Sequence, residues 1–170
     1  MALITSPTEM IPDLNYEYHT ITIDSNGQAA ANTFTSYLEI PLKNVVEAKL
    51  LASHIHTKAS NQHIYISIDE LDSNFNDRAT PVLNGTGTIG KIKGAFASLI
   101  STVTAVSTTA NHINNFTSDY DVSTQYINPI RKLDRFTVNI YNQDGDLIAP
   151  NAAGTPNYLV IKFTCLKGNL

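Results

Sequence analysis

Apolar and polar residues alternate along much of this chain with the period of a β-strand. The alternation is cleanest in residues 63–71, HIYISIDEL, and 158–166, YLVIKFTCL. Ile64, Ile66 and Ile68 share one face of the first, and Leu159, Ile161, Phe163 and Cys165 share one face of the second. Successive strand side chains point to opposite faces, so this period marks half-buried strands. The same reading predicts strands over residues 16–23, 34–40, 45–56, 91–100, 120–127 and 135–141. Within 45–56 the predicted inward face is Val46, Ala48, Leu50 and Ala52, set against Glu47, Lys49 and Ser53. Residues 101–117 have no strong period and receive no element. Prolines supply the punctuation, because the ring fixes φ and steers the preceding residue away from the helical region. Pro41 is expected to end the strand at 34–40, and Asn128-Pro129 to form a corner before the strand at 135–141. Asn26-Gly27 and Asp144-Gly145 are turn signals.

About eight strands, polar loops and no amphipathic helix make the expected class all-β, an eight-stranded sandwich of jelly-roll or immunoglobulin-like type. Residues 142–157 are too long for a tight hairpin and suit a passage from one sheet to another. Residues 1–15, with Pro7 and Pro12 and no period, read as an N-terminal arm. Residues 16–170 read as one domain, and the full 170 residues suffice for a core without disulfides.

Composition narrows the partners. Charged residues are 15% and apolar residues 42%, while Asn and Thr together make roughly a fifth of the chain, about twice their usual share. The net charge is −4 and the pI near 5.6, so direct nucleic-acid binding, which needs a basic surface, is not expected. Residues 94–118 form the longest uncharged run, but their Ser and Thr content makes them too polar for a bilayer span. The first residues lack a basic flank and a long apolar segment, which suits synthesis in the cell interior. Cys165 is the one cysteine, so no disulfide scaffold is expected.

The sharpest chemical candidate is His54-Ile55-His56, two imidazoles on one face of a strand, with His63 or Glu70 completing a metal set. A cupin-type jelly roll uses such a pair, but its bracketing glycines are missing here, and a polar strand end beside a loop is the better explanation of the histidines. The acidic stretch Asp69, Glu70, Asp72, Asn74, Asn76 and Asp77 imitates a calcium loop beginning at Asp72. It has Asp77 where glycine is needed and Leu83 where glutamate is needed, so a solvated loop is expected. Cys165 lies on an apolar face, no serine sits in a nucleophile elbow, and the glycines at 85, 87 and 90 lack the lysine of a phosphate cradle. No catalytic residue, cofactor or enzymatic activity is expected. Arg131, Lys132 and Arg135 cluster around Asp134, either in local ion pairs or as an intersubunit contact.

The order of segments LKNVVEAKLLASHI, HIYISIDEL, YINPIRKLDRFTVNIYNQDGDLI and YLVIKFTCL resembles small single-jelly-roll capsid proteins of large double-stranded DNA viruses and virophage-like relatives, including the penton proteins. The resemblance covers residues 42–166 and is most specific in 64–71 and 128–148. It implies a single jelly roll in a virion, a homopentamer at the icosahedral vertices, and the major capsid protein as neighbour. Two other functions remain open on the residues themselves: a cupin-like metalloenzyme at His54, His56 and His63, and a receptor- or glycan-binding spike head.

Overall fold

The computed structural model describes residues 15–28, 32–57, 61, 63–72, 77, 92, 94–100, 102–107, 111–117, 121–149 and 155–168. All regular structure among them is β: β1 (Tyr16–Asp24), β2 (Thr33–Thr57), β3 (His63–Ile68), β4 (Ala97–Ile100), β5 (Thr102–Ser107), β6 (Asn111–Thr117), β7 (Ser123–Tyr141) and β8 (Tyr158–Leu166). Every pairing is antiparallel. The sheet runs β1-β8-β2-β7-β3-β4, with β6 on β2 and β5 on β6. Opposite β8, β2 presents one edge to β7 and then to β6, and Leu50 N donates to Val122 O in the gap between them. Taken as one interrupted row, β6 and β7 reduce the eight segments to seven strands. The arm expected over 1–15 lies outside the described residues except for Asn15, whose carbonyl accepts from Lys167 N.

At 25 residues β2 is far longer than an ordinary strand, and laid straight it would span about 80 Å. It curls instead. Asn157 sits just before β8, and its Oδ1 accepts from the backbone N–H of His56 at 2.8 Å, while its Nδ2 donates to Asn32 Oδ1 at 2.8 Å. One carboxamide therefore joins the two ends of β2, holding Asn32 and His56 within about 8 Å of each other. Asn32 Nδ2 in turn donates to the carbonyls of Ile148 and Ala149 at 3.0 Å each, and its own carbonyl accepts from Ile140 N. Ser25, at the end of β1, exchanges two bonds with the Asn157 backbone. Ser25, Asn32 and Asn157 are all buried, so each unmade bond would cost the full desolvation of its group. The result is an antiparallel sheet rolled into a half-barrel.

Rolling the sheet brings its inner faces together. Phe136 on β7 stacks on Phe163 on β8 with ring centroids 5.7 Å apart. Ile64, Ile66 and Ile68 of β3, Leu159 and Ile161 of β8, and Val138 and Ile140 of β7 complete one contiguous cluster. The strict alternation read in β3 and β8 is thus the alternation of core and outer face. Cys165 is buried there too, and burial pushes its thiol up to about 11.

Three of the sequence expectations are overturned by bulges. Pro41 does not end a strand, and Asn128-Pro129 is not a corner: both prolines lie inside continuous strands. Between Tyr37↔Arg135 and Leu42↔Leu133 residues 38–41 of β2 face a single residue of β7, and between Val45↔Ile130 and Glu47↔Gln125 residues 126–129 of β7 face a single residue of β2. A proline in a bulge forfeits no ladder bond, so the strand passes through it. The inward face of β2 also shifts. From Val45 onward its buried residues are Val45, then Ala48 and Leu50, then Ser53, Ile55 and Thr57, changing parity at the two irregularities in the pairing with β8. Val46 and Ala52 are consequently only partly buried. Residues 101–117, left unassigned, hold β5 and β6, whereas only Ala97–Ile100 of the strand expected at 91–100 is a strand among the described residues.

Asn157→Ala leaves the His56 N–H and the Asn32 Oδ1 without partners in the interior, and is expected to cost about 2–5 kcal/mol in urea unfolding. Asn139→Ala, at a half-exposed site, is the reference and should cost under about 1 kcal/mol; equal losses would mean that Asn157 does not hold the roll closed.

Candidate subunit interface

Among the described residues the ribbon where β2 and β7 pair carries the most exposed large apolar side chains. Ile127 is 94% exposed, Ile40 80% and Tyr37 76%. The two isoleucines owe their exposure to the bulges, since an inserted residue has no place on the inner face. The sequence reading closed the strand 34–40 at Pro41 and so gave no sign that Ile40 lies within a bulge; the proline beside it was the available signal. The two bulges are separated by the four ladder residues 42–45 of β2, about 13 Å of strand. Asn44, in that short ladder, has φ of 51°, a left-handed conformation that asparagine tolerates better than most residues.

The basic group lies on the same ribbon. Arg135 stands opposite Tyr37, Lys132 opposite Lys43, and Arg131 follows Ile130. Lys132 Nζ meets Asp134 Oδ2 at 2.5 Å, and this hydrogen bond is the main reason the Asp134 carboxyl titrates below its ordinary value. Arg135 Nε donates to Glu70 Oε1 at 3.0 Å. Among the described residues Arg131 has no ion-pair partner. Lys43 stands opposite Lys132, whose charge is met by Asp134 on its own strand.

The acidic stretch is knitted into the scaffold rather than merely solvated. Glu70 accepts from Arg135 Nε, from Thr137 N at 2.7 Å and from Thr137 Oγ1 at 3.0 Å, tying the end of β3 to β7. Asp72 accepts from Ser67 Oγ, from Ile68 N and from Phe96 N, and Asp77 accepts from Gly94 N. Asp69 is raised above the ordinary carboxyl value by burial, and then by the charges of Glu70 and Asp72. Asn74 and Asn76 lie outside the described residues.

The histidines divide. His54 and His56 meet edge to face with ring centroids 4.8 Å apart. His63 is elsewhere, on β3, against the Tyr65 ring at 4.5 Å and with Nε2 3.2 Å from Ser98 Oγ. The candidate set of His54, His56 and His63 is not assembled as one cage among the described residues, and Glu70 is committed to β7. Among the described residues no three His, Cys, Asp or Glu side chains group together as a metal cage. No helix of the described residues is long and apolar enough to cross a membrane.

Comparison with protein-family profiles and with curated proteins gives no match for this chain.

Two outcomes follow from these contacts. Glu70→Ala removes three bonds at once and should cost about 1–3 kcal/mol, against under about 1 kcal/mol for Arg135→Ala, whose side chain is largely exposed; the reverse order would refute the Glu70 tie. Burial also holds the His63 imidazole below the usual histidine value, and neutral Nε2 accepts the Ser98 hydroxyl, an acceptor that protonation removes. A folded-state value below the unfolded one means that the stabilisation is present above about pH 6.5 and lost as pH falls through the folded-state value. His56, lowered by burial and then by His54, contributes with the same sign. The urea midpoint should therefore drop on acidification, and His63→Gln should narrow that drop; an unaltered profile would exclude His63 as a contributor.

Proposed function

We propose that this chain is a structural virion protein built on a single jelly roll, the penton that forms homopentamers at icosahedral vertices and contacts the major capsid protein. The observation that carries the reading is the β2–β7 ribbon, where Tyr37, Ile40 and Ile127 stand exposed beside Arg131, Lys132 and Arg135. Aromatic and aliphatic side chains next to arginine are the composition of interface cores, and monomeric surfaces seldom leave such residues bare together. The rolled antiparallel sheet supports the jelly-roll assignment, since β2 and β7 each run from one side of the roll to the other as the shared strands of such a sandwich do.

A fivefold ring is closed by a heterologous contact, so the ribbon of one copy meets a different surface of the next. The arrangement of charges favours an acidic acceptor, given that Arg131 has no ion-pair partner among the described residues. The chain's low charge and its polar loops suit a particle held by shape and backbone pairing, as the sequence resemblance implies.

Native mass spectrometry and light scattering test this. The purified protein is expected as a pentamer, and Tyr37→Asp with Ile127→Asp is expected to yield monomers with an unchanged far-ultraviolet spectrum, because neither side chain contributes to the core. A wild-type protein that stays monomeric at high concentration and is absent from particles would refute the reading.

A further inference from the structure

The bulge between Leu50 and Ala52 has a second effect on β2. Without it the even-numbered face that buries Ala48 and Leu50 would continue through Ala52 and carry His54 and His56 into the core. With it Ser53, Ile55 and Thr57 turn inward, and both imidazoles emerge half-buried on the outer face. They are rigidly mounted. His54 is paired on both sides, with Tyr158 of β8 and Asn115 of β6, and the backbone N–H of His56 is held by Asn157 Oδ1.

We propose that His54 and His56 form a two-imidazole chelate for a borderline divalent transition-metal ion of the Cu2+, Ni2+ or Zn2+ class. Three features support it. Their ring centroids are 4.8 Å apart, a separation at which two ring nitrogens converge on one ion at about 2.0–2.1 Å each. Asn115 Oδ1 lies 2.7 Å from His54 Nδ1; a carbonyl oxygen there accepts the Nδ1 proton and leaves Nε2 as the free lone pair. This is the orienting bond that metal-bound histidines typically make with their second nitrogen. Among the described residues the carboxylate sharing this row of the sheet, Asp24, is two strands away across Tyr158, about 10 Å, and its Oδ1 already accepts from Asn26 N. Imidazole without carboxylate selects borderline ions over Ca2+ and Mg2+.

The ion would keep open positions. His54 lines a groove of about 230 Å³ with Ala52, Asn115, Thr117, Tyr158 and Val160, which leaves room for water or for an oxygen or nitrogen donor brought by a partner. The site stands apart from the β2–β7 ribbon and does not depend on the capsid reading.

Titration of the full chain with cupric iminodiacetate tests the chelate, because that probe keeps adjacent positions for two imidazoles and is occupied against the chain's amino terminus. Calorimetry should give one copper per chain, and electron paramagnetic resonance should show two imidazole nitrogens. His54→Ala and His56→Ala should each weaken binding by about a hundredfold through loss of the second donor, while His63→Ala leaves it unchanged. Zn2+-induced shifts of the His54 and His56 ring resonances in the unsubstituted protein provide a reading that needs no variant. Unchanged affinity in the His54→Ala and His56→Ala proteins, a single-imidazole signal, or ring resonances that do not respond to Zn2+ would each overturn the proposal.

Discussion

One carboxamide sets the shape of this protein. Asn157 spans from the backbone of His56 to the side chain of Asn32, and in doing so fastens the beginning of β2 to its end. A strand of that length can bury only one face against a flat neighbour. Rolled, it lines both walls of a core, which is what lets Phe136 and Phe163 stack although their strands are not neighbours. The fastening is polar and fully enclosed, so its bonds are strong when complete and costly when broken. An apolar residue at 157 would fill the space but would not define where the two ends of β2 meet.

The sequence was most legible where a strand is regular and has one face in the core. β3 follows its hydrophobic period residue for residue, and β8 does so except at Thr164, which is buried out of phase; the all-β class follows from them. It was least legible where the chain adds residues to a ladder. A bulge reverses the parity of everything after it, and no local pattern announces it, so the predicted face Val46, Ala48, Leu50 and Ala52 is right only in its middle. Pro41 and Pro129 were visible and were read as stops, since a proline's missing N–H is harmless only if the residue is already unpaired, and pairing is not a local property. β6 escaped notice for another reason. Its buried position Asn114 satisfies Thr57 and Ile55 through hydrogen bonds, so a polar residue stands where the period requires an apolar one. At the candidate sites, the sequence brought His54 and His56 together correctly, because two positions apart on a strand is a covalent constraint. The association with His63 required a tertiary contact that the fold does not make.

Charge is distributed unequally between scaffold and surface. Glu70, Asp72 and Asp77 spend their oxygens on backbone and side-chain donors of neighbouring segments, fixing the turn after β3 against β7 and β4. The exposed side of the β2–β7 ribbon keeps cations and apolar groups together. If the ribbon is an interface, as proposed above, its cations would favour an acidic partner surface.

The place of β8 has a consequence for how the protein is made. β8 lies between β1 and β2, and it pairs residues 16–24 with residues 158–166 in unbroken register. During translation β1 and β2 emerge a hundred residues or more before the strand that separates them, and they have no native way to pair with each other. Until residue 166 has left the ribosome, β1 lacks its partner strand and the β8-facing edge of β2 stays open to any other chain nearby, a delay that long-range antiparallel ladders impose on folding. Crowded synthesis on one message would place several such chains side by side, and so the interval before β8 arrives is when this protein is most exposed to pairing with the wrong copy of itself.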